Sequence, residues 1–236
     1  MHQLTTPERQ FAALLATDPS HPFVTYYDEA TGERSELSVR SLANWVAKTH
    51  HLLQDELGLG VGDTALVALP AHWISVPVLL GALSAGLTLT DGGPADVAFV
   101  APSTLGVAGA AGDVYAVAPE SAAVGFRGTP PSPAQDYVVA VRPQADAWAG
   151  VHHDAGPDDD ALPGHSRGEV AATAGSGLDA GARVLTTRPW QGPADWLATV
   201  LGPVAVGGSV VIVANCPDPA TLERRVAQER ATVTLT

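Results

Sequence analysis

The chain has 236 residues, a formal net charge of −13 and one cysteine. That length buries a full core without cross-links, a lone cysteine excludes an intrachain disulfide, and the acidity argues against a nucleic-acid partner. No basic start leads into an apolar run before Glu8, so no signal peptide is expected and the protein reads as cytoplasmic.

Residues 1–20 suggest a helix, with Thr6 at the cap, Pro7 in the first turn and Phe11, Leu14 and Leu15 on one face. Phe23 to Leu37 reads as a hairpin turning at Thr31-Gly32. Ser38 caps a long helix to Leu57 whose stripe is Leu42, Trp45, Val46, Thr49 and Leu53. Lys48, the one lysine beside eleven arginines, falls off that stripe and is expected in solvent. Asp63 to Asp91 then gives a buried strand from Ala65 to Leu69, an apolar helix and a second strand from Leu87 to Thr90. That order predicts a right-handed parallel crossover. The helical part is too short for a membrane span and contains Pro77 and Gly81.

Beyond Asp91 the chain becomes rich in glycine and proline. Short strands are expected at Asp96–Val100, Val114–Val117 and Tyr137–Val141, with a weak helix over 103–111 and a linker over 127–135. Residues 149–165 read as an exposed loop. Ser166 starts a helix to Ala174. Arg183 to Ala214 then repeats the order of strand, proline, tryptophan, apolar helix, glycine and strand. Pro219–Glu229 is an amphipathic helix and Thr232–Leu235 a last strand. The expected organisation is a first α/β lobe over 1–126, a linker and loop region over 127–165, and a second α/β unit over 166–236 that packs with the first.

Three clusters invite a chemical reading. Gly164-His165-Ser166-Arg167-Gly168 matches a nucleophile elbow, but no buried strand leads into it and no histidine follows the serine. Ser166 reads instead as a helix cap completed by Glu169. His152-His153-Asp154, near Asp158–Asp160, resembles a metal cluster, yet adjacent loop histidines lack a complete ligand set, so no metal is expected. Trp190, Gln191 and Gly192 follow a predicted parallel strand, where such sheets bind ligands, and form the candidate pocket. Cys216 reads as a passive thiol at a strand end.

Two blocks carry a family resemblance. The first comprises the hairpin, LSVRSLANWVAKTHHLL, LGLGVGDTALVALP and LLGALSAGLTLTD; the second comprises GARVLTTRPW, LGPVAVGGSVVIV and DPATLERRVAQERATVTLT. They are similar to the adenylate-forming (AMP-binding) superfamily of acyl-CoA synthetases, adenylation domains and luciferases. The lysine-poor, Ala/Val/Gly/Arg-rich composition resembles a short actinobacterial branch of it. The implied fold is α/β: two related layered lobes with mostly parallel sheets, part of the large N-terminal domain of acyl-CoA synthetase-like proteins.

The resemblance also implies chemistry that the residues do not supply. The superfamily cradles ATP phosphates with a Ser/Thr/Gly-rich loop ending in lysine. The corresponding interval, Asp136 to Ser166, has no threonine, no lysine and six aspartates. The metal- and ribose-binding acids and the C-terminal lobe with its lysine belong to segments beyond those matched. Gly192 stands where many relatives have a pocket histidine. The expectation is a non-catalytic relative binding a small carboxylic acid, an acyl ligand or a protein, with no cofactor. ATP, AMP or CoA would enter only if a partner chain completes an adenylate-forming or CoA-ligase activity. Apolar surface left by a shortened scaffold predicts a homodimer.

Overall fold

The computed structural model describes residues 5–109, 111–147 and 155–236. Helix α1 (Pro7–Thr17) opens the chain with Pro7 in its first turn. Strands β1 (Pro22–Asp28) and β2 (Glu33–Ser38) form the expected hairpin. The Ser38 hydroxyl accepts from the Ser41 amide and starts α2 (Val39–His51), which continues as a π-helical turn over Leu52–Glu56. The central unit follows as β3 (Thr64–Ala68), α3 (Ser75–Ser84) and β4 (Thr88–Thr90), with β3 and β4 parallel.

Strands β5 (Val97–Val100), β6 (Asp113–Ala116) and β7 (Gln135–Asp136) extend the same sheet, and a 3-10 helix over Pro102–Ala108 follows β5. After α4 (Tyr137–Val141) come β8 (Asp160–Leu162), β9 (His165–Ser166) and α5 (Arg167–Thr173). The second crossover is β10 (Arg183–Thr186), then α6 (Pro193–Trp196), a π-helical stretch (Leu197–Leu201) and α7 (Gly202–Ala205), then β11 (Ser209–Ala214) parallel to β10. Helix α8 (Pro219–Glu229), capped by Asp218, leads to β12 (Val233–Leu235).

Two five-stranded sheets result. One runs β12-β10-β11-β1-β2 and draws strands from both ends of the chain; the other runs β4-β3-β5-β6-β7 and is all parallel. The N-terminal hairpin therefore pairs with the 166–236 unit, Val24 opposite Val210 and Tyr26 opposite Ile212. Helices lie between the sheets: α2 touches β1 and α3, α3 touches β3 and β4, and α7 touches β11 and α1. All ten residues of α3 are buried.

The strands alternate between two cores, as strands covered on both faces must. Val97 and Phe99 of β5 face the central core, whereas Ala98 and Val100 face a smaller cluster under the 3-10 helix. In β11, Val210 and Ile212 face the central core while Val211 and Val213 pack under α8.

Gly81 lets α2 and α3 approach closely: a Cβ there would lie 2.4 Å from Thr49 Cβ. At the C-terminal exit of α3, the fully buried Arg167 donates to Glu8 Oε1 at 2.9 Å, Leu83 O at 3.0 Å and Leu87 O at 2.9 Å. That guanidinium ties α5 to α1 and to the exit of α3.

Three expectations are corrected. Tyr137–Val141 is a helix, because the Asp136 carboxylate accepts from the Val138 and Val139 amides and closes a first turn that β-branched composition disfavours. Within the expected 149–165 loop, residues 160–166 form a small antiparallel hairpin. Lys48 is not free in solvent; its ammonium donates to the carbonyls of Arg142 (3.1 Å) and Gln144 (2.5 Å) as α4 ends.

Candidate functional site

The sequence-predicted pocket residues come together. Trp190, Gln191 and Gly192 line a cavity of about 320 Å³ with Val67, Leu69, Asp91 and Val107. Its walls are the segments leaving β3, β4 and β5 in one sheet and β10 in the other, so the C-terminal ends of parallel strands from both sheets meet there.

Local bonding fixes the Trp190 loop. The Arg188 amide donates to Thr186 Oγ1 at 3.0 Å, and the Gln191 amide donates to Asp195 Oδ2 at 2.7 Å in the first turn of α6. Trp190 is 9% exposed and belongs to the central core while bordering the cavity. Its indole N–H is buried without a hydrogen-bond partner among the described residues. The corresponding tryptophan of the first crossover, Trp73, shares that feature.

Gly192 has φ +156, and a Cβ there would lie 2.5 Å from Asp91 Oδ2. The Asp91 carboxylate thus takes the space of a side chain at position 192, the place of the expected histidine. A carboxylate therefore borders the cavity, and among the described residues no lysine or arginine lines it. Sequence reasoning missed Asp91 because it was read only as the end of a strand. Its place at the C-terminal end of a parallel strand was the available signal.

The interval from Asp136 to Ser166, where the resemblance implies a phosphate loop, serves structural ends in its described part. Asp136 Oδ2 accepts from the Phe126 amide at 2.7 Å, and Arg142 donates to Ala123 O at 3.0 Å. Tyr137 and Val138 are fully buried. His152, His153 and Asp154 lie outside the described residues. Among the described residues, no group of three or more His, Cys, Asp and Glu side chains is placed to hold a metal ion.

Ser166 caps α5, its hydroxyl accepting from the Glu169 amide at 3.2 Å while Glu169 Oε2 accepts from the Ser166 amide at 3.0 Å. Cys216 is half-buried just after β11 and its thiol faces Asp218 O. No described helix is long and apolar enough to cross a membrane.

Comparison with known proteins follows the same lines. No protein-family model matches the chain. An acetoacetyl-CoA synthetase from Streptomyces lividans superposes with a TM-score of 0.77 at 16% identity, covering 98% of this chain and 42% of that one. The anthranilate CoA ligase AuaEII, solved with anthranoyl-AMP, gives 0.73 at 12% identity, covering 98% of this chain and 49% of that one. The chain spans about half the length of these ligases or less, and they establish its fold: mixed α/β with mostly parallel sheets, as in the N-terminal domain of acyl-CoA synthetase-like structures. A TIGR03089 family protein of Mycobacterium tuberculosis is 41% identical over 245 aligned positions, covering 97% of this chain and 99% of the relative. With identity of that level along nearly the whole of both chains, the protein belongs to the TIGR03089 family, on an acyl-CoA synthetase-like scaffold.

Proposed function

We propose that the protein is a non-catalytic relative of the acyl-CoA ligases that binds an acyl group in the Trp190 cavity. The observation that supports this reading is the cavity itself, with apolar walls from Val67, Leu69, Val107 and Trp190 at the C-terminal strand ends. Of the two ligand classes expected, the acyl class fits better than a free carboxylic acid. The Asp91 carboxylate lies in the cavity with no cation lining it, and a second carboxylate beside it would be repelled. The described part of the phosphate-loop interval supports the non-catalytic reading, because Lys48 and Arg142 are both held by backbone carbonyls.

Thermal-shift measurements with a short acyl-CoA, the parent carboxylate, ATP and AMP test the proposal. The acyl-CoA is expected to raise the melting temperature of the wild-type chain, and Trp190→Ala to abolish that rise. Absence of any shift with acyl-CoA would remove the binding reading. ATP–pyrophosphate exchange by the purified chain with a panel of carboxylic acids would overturn the non-catalytic one.

A further inference from the structure

A second cavity, of about 630 Å³, adjoins the Trp190 cavity across Pro70, which borders both, and has a different chemistry. Segments following β1, β3, β6 and β11 converge on it, so it too gathers C-terminal strand ends from both sheets. Tyr26 and His72 line it, with Asp28, Glu33, Glu120 and Asn215.

The two rings are the built part of this site. Tyr26 is 5% and His72 2% exposed, and their rings lie in contact with centroids 4.1 Å apart and planes tilted by 49°. The Ile74 amide donates to His72 Nδ1 at 3.2 Å. An accepting Nδ1 in a neutral imidazole places the proton on Nε2, at the far side of the ring. Neither that N–H nor the Tyr26 hydroxyl has a hydrogen-bond partner among the described residues, and neither is sealed among the buried unsatisfied atoms. Two almost fully buried side chains therefore turn polar atoms toward the cavity.

Asp28 Oδ1 accepts from Asn215 Nδ2 at 2.8 Å and from the Ala30 amide at 2.9 Å. Burial pushes this carboxyl up, but those hydrogen bonds hold it below the ordinary aspartate value, so it is ionised at neutral pH. Glu33 accepts from Ser35 Oγ at 2.9 Å. None of Asp28, Glu33 or Glu120 forms an ion pair among the described residues, and no lysine or arginine lines the cavity. Asn215 sits at φ 52, in the left-handed region that asparagine tolerates, at the start of the turn that brings its amide to Asp28.

From this arrangement we infer a second binding site, for a small organic amine that also carries a hydroxyl or carbonyl oxygen. The ammonium end satisfies the uncompensated carboxylates of Asp28, Glu33 and Glu120. The oxygen accepts from His72 Nε2–H, and the Tyr26 hydroxyl can donate or accept beside it. Concave, low-dielectric walls concentrate the field of the carboxylates on a cation and exclude an anion.

The test uses the full chain and four probes of one length: aminopentanol, pentanediol, hydroxypentanoate and a simple pentylamine. Titration calorimetry gives affinity and stoichiometry, and the imidazole nitrogen resonances of His72 report occupancy. Aminopentanol is expected to bind one-to-one, to move the His72 Nε2 resonance and to bind more tightly than each of the others. Glu33 and Glu120 are partly or fully exposed, so the double variant Glu33→Gln/Glu120→Gln should fold. It should weaken aminopentanol binding about fivefold, the scale of two exposed charge contacts, and leave pentanediol unchanged. Tyr26→Phe keeps the ring contact with His72 and reports the hydroxyl alone. Equal binding of pentanediol or hydroxypentanoate would overturn the inference, as would amine binding that leaves the His72 resonance unmoved. Val107→Ala, at an exposed residue that borders the acyl cavity and not this one, should not change any of these results, which separates the two sites.

Discussion

Replacing Arg167 by methionine tests how the two halves of the chain are joined. The guanidinium is fully buried, and its partner Glu8 is 2% exposed. Three hydrogen bonds of 2.9, 3.0 and 2.9 Å link it to Glu8, Leu83 O and Leu87 O. Methionine fills much of the volume but supplies no donor, so a buried carboxylate loses its cation and two carbonyls at the exit of α3 lose theirs. Breaking one side of a buried ion pair costs about 3–5 kcal/mol. A carbonyl left without any donor would cost about 1–3 kcal/mol, but Leu83 O keeps the Gly86 amide at 3.0 Å and so loses less. The figures describe overlapping losses and do not add. We expect about 4 kcal/mol, read as a lowered urea midpoint with an unchanged slope. Glu8→Gln keeps an acceptor for the guanidinium and should cost less than Arg167→Met. The double variant should cost less than the sum, because the second substitution removes the stranded charge. A loss below about 1 kcal/mol for Arg167→Met, with the slope unchanged, would refute the reasoning: the site would have relaxed to admit water.

Two further predictions concern the core and pH. Gly81→Ala gains helix propensity worth about 1 kcal/mol but drives a Cβ to 2.4 Å from Thr49 Cβ, so α2 and α3 must separate. Overpacking of this kind costs about 1–3 kcal/mol, and a net loss of about 1 kcal/mol in urea unfolding is expected; a stabilised variant would contradict the close approach. Burial holds the His72 imidazole neutral, its pKa pushed down to about 4 from 6.5, with Asp28 opposing the shift only in part. The unfolded chain takes up this proton near pH 6.5 and the folded chain only near pH 4, so stability is full above that window and declines as pH falls through it. Between pH 6.5 and 5 this group should account for about 2 kcal/mol, seen as a flatter pH dependence of the urea midpoint in His72→Asn. An unchanged slope in the variant would show that His72 is protonated in the fold.

Local chemistry settled much of this protein from the sequence alone. Both crossovers were legible, because fully buried parallel strands read as apolar runs and their helices are bounded by proline and glycine. Ser38 and Ser166 were legible as caps, since a hydroxyl three residues before the amide it accepts from needs no distant partner. Trp190, Gln191 and Gly192 were legible as neighbours at a strand end, and the structure places them on one cavity. Tertiary structure alone decided what depends on groups far apart in the chain. Hairpin β1–β2 joins β11 because its unpaired edge finds a partner nearly two hundred residues away. Lys48 is tied down at the surface because α4 ends with two carbonyls within its reach, and α4 exists because Asp136 caps residues whose composition reads as strand. Asp91 enters the Trp190 cavity only because Gly192 leaves room for it. His72 faces its own cavity because four strand ends meet there. Periodicity and capping act over a few residues and are written locally, whereas sheet partners and cavities arise only when distant segments pack.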